Sequence, residues 1–479
     1  MGLFPPTPNE AKPERPIWGW VTLGIVLASG AVAVCWAVPF AGGWSDGSRL
    51  AAIESVGARG TLTINESIFV GYQVREGVPS PYDPANFGSL SWGTSDKMFV
   101  DGHFYSHHPP VPLLVAGAFY RVWLLFGGPP ATERADLFVL WITITTAGLP
   151  FVVAVWCVGR LARDGLGLPG RTYALLTLSF AATTVAPAYS RQVNAHVILL
   201  GVGAVACLLV ARAERIGVVS RGRLLGLGTV AGMGYCLDGA LGPALVLCIF
   251  GYAYATTGRA GLLLAALAAA PWGITHHAVL YAIAGDPFSP ASDPKNWTWP
   301  GSPFNADNLT GLQLMHSPQR GIEYLWDMLI GSRGFLSHNL PMFLAFAGAV
   351  LLFRRYPADR RAVAVAGGWM LIGATPYVLA SNNFSGACLS IRWFVPFLAP
   401  GFWLIGMLLR RRPECVVDLV WLTVGGVILG YHMLPGGPWK PDAAPCLDLV
   451  GMIAIVGWGV IGVVRTGSPE VRSRDTASG

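Results

Sequence analysis

Charge is scarce in this sequence. Only 12% of its 479 residues are Asp, Glu, Lys or Arg, about half the share usual in a soluble globular protein, and 53% are hydrophobic. That balance excludes a freely soluble domain and predicts a chain that spends most of its length in lipid. A cleavable leader is not visible either. The opening MGLFPPTPNEAKPERP is polar, and the apolar run from Ile17 to Phe40 is longer than the roughly 7 to 15 residues of a signal h-region, so the first span is expected to stay attached. No repeat of about 20 to 50 residues appears, which argues against a solenoid, and no half-to-half symmetry of the transporter kind is evident. Of the eight cysteines, Cys35, Cys157, Cys207, Cys236 and Cys248 fall inside apolar runs, where a small buried hydrophobe is the expected role. Cys388 and Cys446 read as external, with no spacing signature that pairs them. The net charge of +6 is attributed to Lys and Arg held on the cytoplasmic side, and no nucleic-acid partner is expected.

What is present is a series of apolar segments between Ile17 and Val464. Runs of about 20 apolar residues satisfy their own backbone only as helices in lipid. The expected fold is therefore all-α, a polytopic membrane protein with about 12 to 13 transmembrane helices. Residues 1–16 are expected to form a cytoplasmic tail, 17–464 the transmembrane domain and 465–479 a disordered cytoplasmic tail. Arginine clusters at Arg160–Arg171, Arg212–Arg223, Arg354–Arg361 and Arg410–Arg412 mark cytoplasmic turns. That places two large loops, 41–110 and 285–338, outside. One conflict results. Two apolar segments, Val111–Phe126 and Ala135–Val158, separate the first loop from the Arg160 cluster, where an odd number of crossings is required. Either Val111–Phe126, with Arg121 in its middle, is re-entrant or partly spanning, or the charge count misleads there.

The unusual side chains gather outside. Ser48–Gly60 reads as a short amphipathic helix along the membrane surface, with Leu50, Ile53 and Val56 on one face. Asp46 precedes it, Arg49 follows at helical spacing and Glu54 lies further along. Asp46 is either a general base at the membrane edge or the N-cap of the surface helix. Thr61–Asn65 alternates like a short strand. In DGHFYSHHPP, an extended Asp101, His103, Tyr105 and His107 would share one side. With His108 they form a dense donor and acceptor set that matches no standard zinc spacing, so a divalent cation is left open and no metal ligand is assigned. Asp238, His276 and His277 stand inside or beside apolar runs, where an ionisable group faces a cavity or partner. The second loop carries Trp297, Trp299, Tyr324 and Trp326, either an interfacial belt or a platform for sugar rings. Arg333 and Arg392 sit at the outer boundary, where a guanidinium fork suits a lipid phosphate or snorkels to headgroups. Asn65, Asn296, Asn308 and Asn383 head N-x-S/T triplets on the expected outside.

The order SRLA, ES, RGT, DK and DGHFYSHHPP in the first loop, followed by GSRGF and the Arg392–Pro400 run, resembles the membrane glycosyltransferases of the GT-C superfamily, among them protein O-mannosyltransferases and lipid A aminoarabinose transferases. The resemblance implies a polyprenyl-phosphate-linked sugar donor, a glycan, lipid or protein hydroxyl as acceptor, and inversion at the anomeric carbon. It implies Asp46 as base, Glu54 and Asp101 as further catalytic candidates, and Arg49, His103, Tyr105, His107, His108, Arg333 and Arg392 as substrate-binding residues. It also implies an integral protein of the bacterial inner membrane, bound to membrane lipid, with its site facing the periplasm or exterior. Two departures stand out. His107 and His108 replace an Asp-Lys pair, and Ser390 and Ile391 replace Gly-Pro before Arg392. A transporter or flippase of a lipid-linked substrate and an inactive scaffold are the competing readings.

Overall fold

The computed structural model describes residues 17–71, 79–83, 90, 92–305, 309, 317–381, 384–440, 450–451 and 453–459. The expected tails, Cys446 and the triplets at Asn308 and Asn383 lie outside the described residues. The fold is all-α, with a single two-stranded hairpin among the described residues. Seven described helices are long and apolar enough to cross a membrane, which makes this an integral, polytopic membrane protein. Shorter apolar helices such as Gly170–Ala182 and Arg221–Tyr235 pack among them.

The first helix, α1 (Ile17–Cys35), leads into α2 (Trp44–Arg59). The hairpin β1 (Lys97–Val100) and β2 (His103–Ser106) follows, then α3 (Pro110–Leu125) and a continuous helix α4 (Ala135–Gly165) with two π-turns. Contacts along α1 and α4 fix their mutual direction. A Cβ on Gly148 would meet Ala33, and one on Gly159 would meet Thr22, so the two run antiparallel. Arg160 is therefore level with the start of α1, opposite the first loop.

This resolves the parity conflict. Phe138, in the first turn of α4, packs against Phe69 of the first loop at 5.9 Å and against Tyr120 of α3 at 4.5 Å. Both ends of the α3 connection are thus at the loop end of the bundle, and α3 does not cross. Its 16 residues reach about 24 Å at 1.5 Å per residue, short of a hydrocarbon core of about 30 Å. It lies instead on α2. The crossing is close because two glycines meet there: a Cβ on Gly57 would fall 2.9 Å from the Gly117 carbonyl. Arg121 turns back to donate to the Gly57 carbonyl at 3.4 Å.

The 44-residue helix Leu241–Ala284 is two spans in one. Gly258 has φ 67° and ψ −158°, a left-handed φ that only glycine adopts without strain. Gly234 of Arg221–Tyr235 sits by Leu245 of the first half, while Gly228 and Gly232 sit by Ala265 and Ala269 of the second. The first pairing is antiparallel and the second parallel, so the chain reverses at Gly258.

Polar staples close both ends. At the end away from the first loop, buried Asp359 accepts from Arg410 at 2.7 Å and from Arg411 at 2.7 and 3.0 Å. Asp164 accepts from Arg160, Arg163 and Arg212 at 2.6–2.8 Å. At the loop end, Arg191 donates to the carbonyls of Trp36, Leu434 and Pro435 at 2.6–2.9 Å, tying three segments that are distant in sequence.

Candidate functional site

The site begins with the turn into α2. Gly43 caps the helix and Asp46 stands in its first turn. The Asp46 carboxylate accepts the backbone N–H of Gly42 and of Gly43, each at 2.8 Å. Asp46 is thus not the N-cap, one of the two readings its sequence position allows; its side chain completes the cap from three residues further on. It is almost fully buried. Burial pushes its pKa up to about 6, opposed by the Gly42 and Gly43 amides and by Arg49. The helix starts four residues earlier than expected and is covered along most of its length, from Asp46 to Ser55.

Arg49 follows one turn later and donates to the Ser45 carbonyl at 3.0 Å and its hydroxyl at 2.9 Å. Burial and the charge of Arg392 push its pKa down to about 9, against the pull of Asp96 and Asp46. The like charges of buried Arg49 and half-buried Arg392 thus oppose each other, a repulsion that an anion relieves. Arg392 opens a short 3₁₀ turn, Arg392–Phe397. Its guanidinium lies over Trp439 at 5.5 Å, and its buried Nε has no hydrogen-bond partner.

The hairpin supplies the remaining wall. Asp101 and Gly102 both have positive φ, 47° and 85°, the two-residue turn that Asp-Gly favours. Lys97 consequently pairs with Ser106, and one step beyond the last pair Asp96 meets His107, with 3.2 Å between Asp96 Oδ1 and His107 Nδ1. His108 Nε2 donates to the Ser45 carbonyl at 2.9 Å, and Ser106 bonds Ser48 at 2.8 Å. These contacts bind the hairpin to α2. Burial lowers the pKa of His107, opposed by Asp96, and places that of His108 well below the ordinary value, with Arg49 and His107 adding to the effect. Both imidazoles are neutral at neutral pH, so neither replaces a permanent cation.

Two cavities meet at His107. The larger, about 570 Å³, is floored by Gly42–Ser45 and walled by Asp96, His107, Arg392 and the aromatics Trp297, Phe304 and Trp439. The smaller, about 300 Å³, reaches toward the bundle and is lined by Tyr105, His107, His108, Asp238, His276 and apolar groups including Leu113 and Leu280. Asp238 is held by Tyr377, whose hydroxyl lies 2.8 Å from both carboxylate oxygens, and by the amides of Ala240 and Leu241. His277 bonds Tyr235 at 2.8 Å.

Of the residues singled out in the sequence, His107 and Arg392 line the larger cavity and Tyr105, His107 and His108 the smaller one, while Asp46 and Arg49 stand behind the larger cavity's floor, bonded to Gly42, Gly43 and Ser45. The others stand apart. Glu54 faces away into a paired contact with Arg59 at 2.6 and 2.7 Å. Asp101 and His103 sit exposed at the hairpin tip, because the turn at Asp101–Gly102 breaks the extended run in which they would share a side with His107. Arg333 is half-buried and donates to the Gly386 carbonyl at 3.2 Å, near the rim of the larger cavity. Thr61–Asn65 forms an isolated bridge from Thr63 to Tyr105, not a strand. Asn296 is buried, its amide bound to the Pro290 carbonyl at 2.8 Å. Sequence reading passed over the roles of Asp96, Ser45, Phe304 and Trp439. The Asp-Gly turn would have revealed Asp96, since hairpin pairing from that turn sets it opposite His107.

The class these features define is a polytopic all-helical membrane protein with a candidate site between its first loop and the ends of later helices, and its fold is one found among solved membrane-protein structures. The structure of ArnT from Cupriavidus metallidurans bound to undecaprenyl phosphate matches with a TM-score of 0.50 at 14% identity, over 92% of this chain and 76% of that one. Its apo state matches with a TM-score of 0.51 at 14% identity, over 93% and 76%. The apo oligosaccharyltransferase of Archaeoglobus fulgidus gives a TM-score of 0.49 at 11% identity, over 88% and 56%. No family model matches the sequence, and no curated protein does.

Proposed function

We propose that this protein transfers a sugar from a polyprenyl-phosphate donor to an acceptor hydroxyl, at the end of the bundle that carries the first loop. The observation that carries the reading is Arg392 on the wall of the larger cavity with its Nε unpartnered, and the like charge of buried Arg49 behind the Ser45 floor. A phosphate oxygen supplies what both lack. The undecaprenyl phosphate in the ArnT structure supports a lipid phosphate as that anion. Trp297, Phe304 and Trp439 offer flat apolar faces for a sugar ring.

In the reaction, the acceptor oxygen attacks the anomeric carbon from the face opposite the phosphate. The new C–O bond forms as the bond to the phosphate oxygen breaks, the phosphate leaves with the electron pair, and configuration inverts. Arg49 and Arg392 stabilise the charge that grows on the leaving phosphate. Asp46 takes the acceptor proton; a pKa of about 6 suits a base working near neutrality. Its Oδ2 accepts only from Gly42 and keeps a lone pair, but an acceptor reaches it only when the Gly42–Ser45 floor shifts. Asp96, already on the cavity wall, is the competing base. By the excess of arginine at the opposite end, the site faces the exterior or periplasm.

The test is sugar transfer from a panel of radiolabelled polyprenyl-phosphate sugars, with donor binding measured in parallel. Turnover that collapses in Asp46→Asn while donor binding persists supports Asp46 as the base. Collapse only in Asp96→Asn moves the base there. Wild-type protein that neither binds nor turns over any donor overturns the proposal.

A further inference from the structure

We infer that the end of the bundle opposite the first loop holds one anionic phospholipid, in a slot between α1 and α4 whose mouth is formed by Arg160 and Arg163. The slot is remote from the candidate site and stands independently of the glycosyl-transfer reading.

Its volume is about 180 Å³, roughly the space of six waters, enough for one headgroup phosphate with its glycerol. The walls grade from charged to apolar. Because α1 and α4 run antiparallel, Arg163 and Arg160 lie at the outer level with Gly19, while Trp156 lies deeper with Leu23 and Val26. Gly19, Leu23 and Val26 fall at i, i+4 and i+7, one face of a helix, and seven residues carry that face about 10 Å inward. Trp156 is 45% exposed, and the Arg160 guanidinium stands 5.7 Å from its ring, an amphipathic pair suited to the boundary between headgroups and hydrocarbon. A soluble anion would use the mouth alone. A lipid also covers the apolar wall beneath it, along a helix of which Ser29 and Ala33 alone are buried.

The sign of the headgroup follows from the charge at the mouth. Asp164 accepts from Arg160, Arg163 and Arg212 at 2.6–2.8 Å, and Arg215 donates to the Arg163 and Asp164 carbonyls at 3.0 and 2.9 Å. Four guanidiniums thus gather about one carboxylate. A phosphate diester offsets that excess, whereas the ammonium of a zwitterionic headgroup adds to it. Arg160 makes its hydrogen bond to Asp164 through Nε alone, which leaves its two terminal nitrogens for phosphate oxygens. The backbone is distorted at the same point. The helix widens into the π-turn Leu161–Gly165, a feature frequent at functional sites, and that turn carries Arg163 and Asp164. Gly159 brings α1 close beside the slot, since a Cβ there would fall 2.9 Å from Thr22.

The experiment uses the full-length protein, delipidated in mild detergent and titrated with phosphatidylglycerol or with phosphatidylcholine of the same chains, with bound lipid counted by native mass spectrometry. One phosphatidylglycerol per chain is expected, held about tenfold more tightly than phosphatidylcholine. Arg160→Gln should remove that preference. So should Gly19→Leu, which keeps every charge and places a side chain where a Cβ meets nothing within 4 Å. Arg354→Gln, an exposed cation at the same end, should bind as wild type. Thermal unfolding checks each variant, and Gly19→Leu carries the test if Arg160→Gln fails to fold; phosphatidylglycerol should raise the midpoint of wild type and leave that of Gly19→Leu unchanged. Equal retention of the two lipids, or a loss in Arg354→Gln as large as in Arg160→Gln, overturns the site. Displacement of the lipid by millimolar glycerol phosphate overturns the assignment to a lipid and leaves a soluble phosphate as the ligand.

Discussion

As the proposed base, Asp46 meets two demands that pull against each other. As a cap it must hold the Gly42 and Gly43 amides, and as a base it must be ionised and reachable. Its carboxyl pKa is raised by burial to about 6 from 3.8. A raised carboxyl pKa means the folded protein holds the proton more tightly than the unfolded chain, so the contribution to stability is greatest at acid pH and is lost as pH rises through about 6. Activity has the opposite sense. Turnover is expected to rise with pH along an acid limb centred near 6 and to level off above it; a pH–rate profile of kcat with saturating donor reads this, and a flat profile between pH 5 and 8 would argue against Asp46 as base. Asp46→Asn is expected to lower kcat by about 10²- to 10⁴-fold. For Arg392→Lys, loss of the planar fork is expected to raise the donor KM more than it lowers kcat. A steady-state comparison of the two constants checks this.

At the level of elements, what was legible depended on whether chemistry or pairing carried the signal. Asp46, Arg49 and Arg392 could be picked out because charged groups are rare in this chain and each sits at the boundary of an apolar run. Glu54 passed the same filter, but its partner Arg59 lies one turn on, and a paired contact at 2.6–2.7 Å leaves no free carboxylate. Asp101 and His103 share a side with His107 only where the run is extended, and a turn interrupts it. The dipeptide Asp101–Gly102 reverses the chain, which sends both to the exposed tip and draws Asp96 in. Trp439 carried no signal, since nothing in its local sequence distinguishes an aromatic beneath a distant arginine. The Arg191 staple was equally invisible, because its acceptors are backbone carbonyls, Trp36 and the adjacent Leu434 and Pro435, all far from Arg191 in sequence. Arg191→Ala is expected to cost about 1–3 kcal/mol by orphaning those carbonyls, read as a lower unfolding midpoint in nanodiscs. Asp359→Asn should also lower it, since Arg410 and Arg411 both converge on that carboxylate.

Across the whole molecule, the apolar periodicity specified an all-helical bundle, and the arginine clusters marked one end of it. The reversal at Gly258 and the short reach of α3 were beyond hydropathy alone: one hides inside an unbroken apolar run, and the other is apolar enough to pass for a span. With α3 held at the loop end, the spans alternate in direction and every arginine cluster falls at one end. Single cysteines introduced at Phe126 and Arg354 should therefore react with an impermeant maleimide from opposite sides of a sealed vesicle. Labelling of both from one side would contradict the arrangement.

The position of α3 has a further consequence. Its inner face rests on α2, which carries Asp46 and Arg49, while Val115, Phe119, Val122 and Phe126 on the other face are 43–88% exposed. An amphipathic helix of this kind floats at the boundary between headgroups and acyl chains. The floor of the proposed site is bolted to that float, so on this reading its height follows the lipid surface. A polyprenyl phosphate, tethered by its tail, presents its headgroup at a fixed level, and the two levels coincide only over a narrow range of bilayer thickness. On the proposed reading, the lipid in which the protein sits acts as a gauge, bringing the site level with its lipid-linked donor before either has made contact.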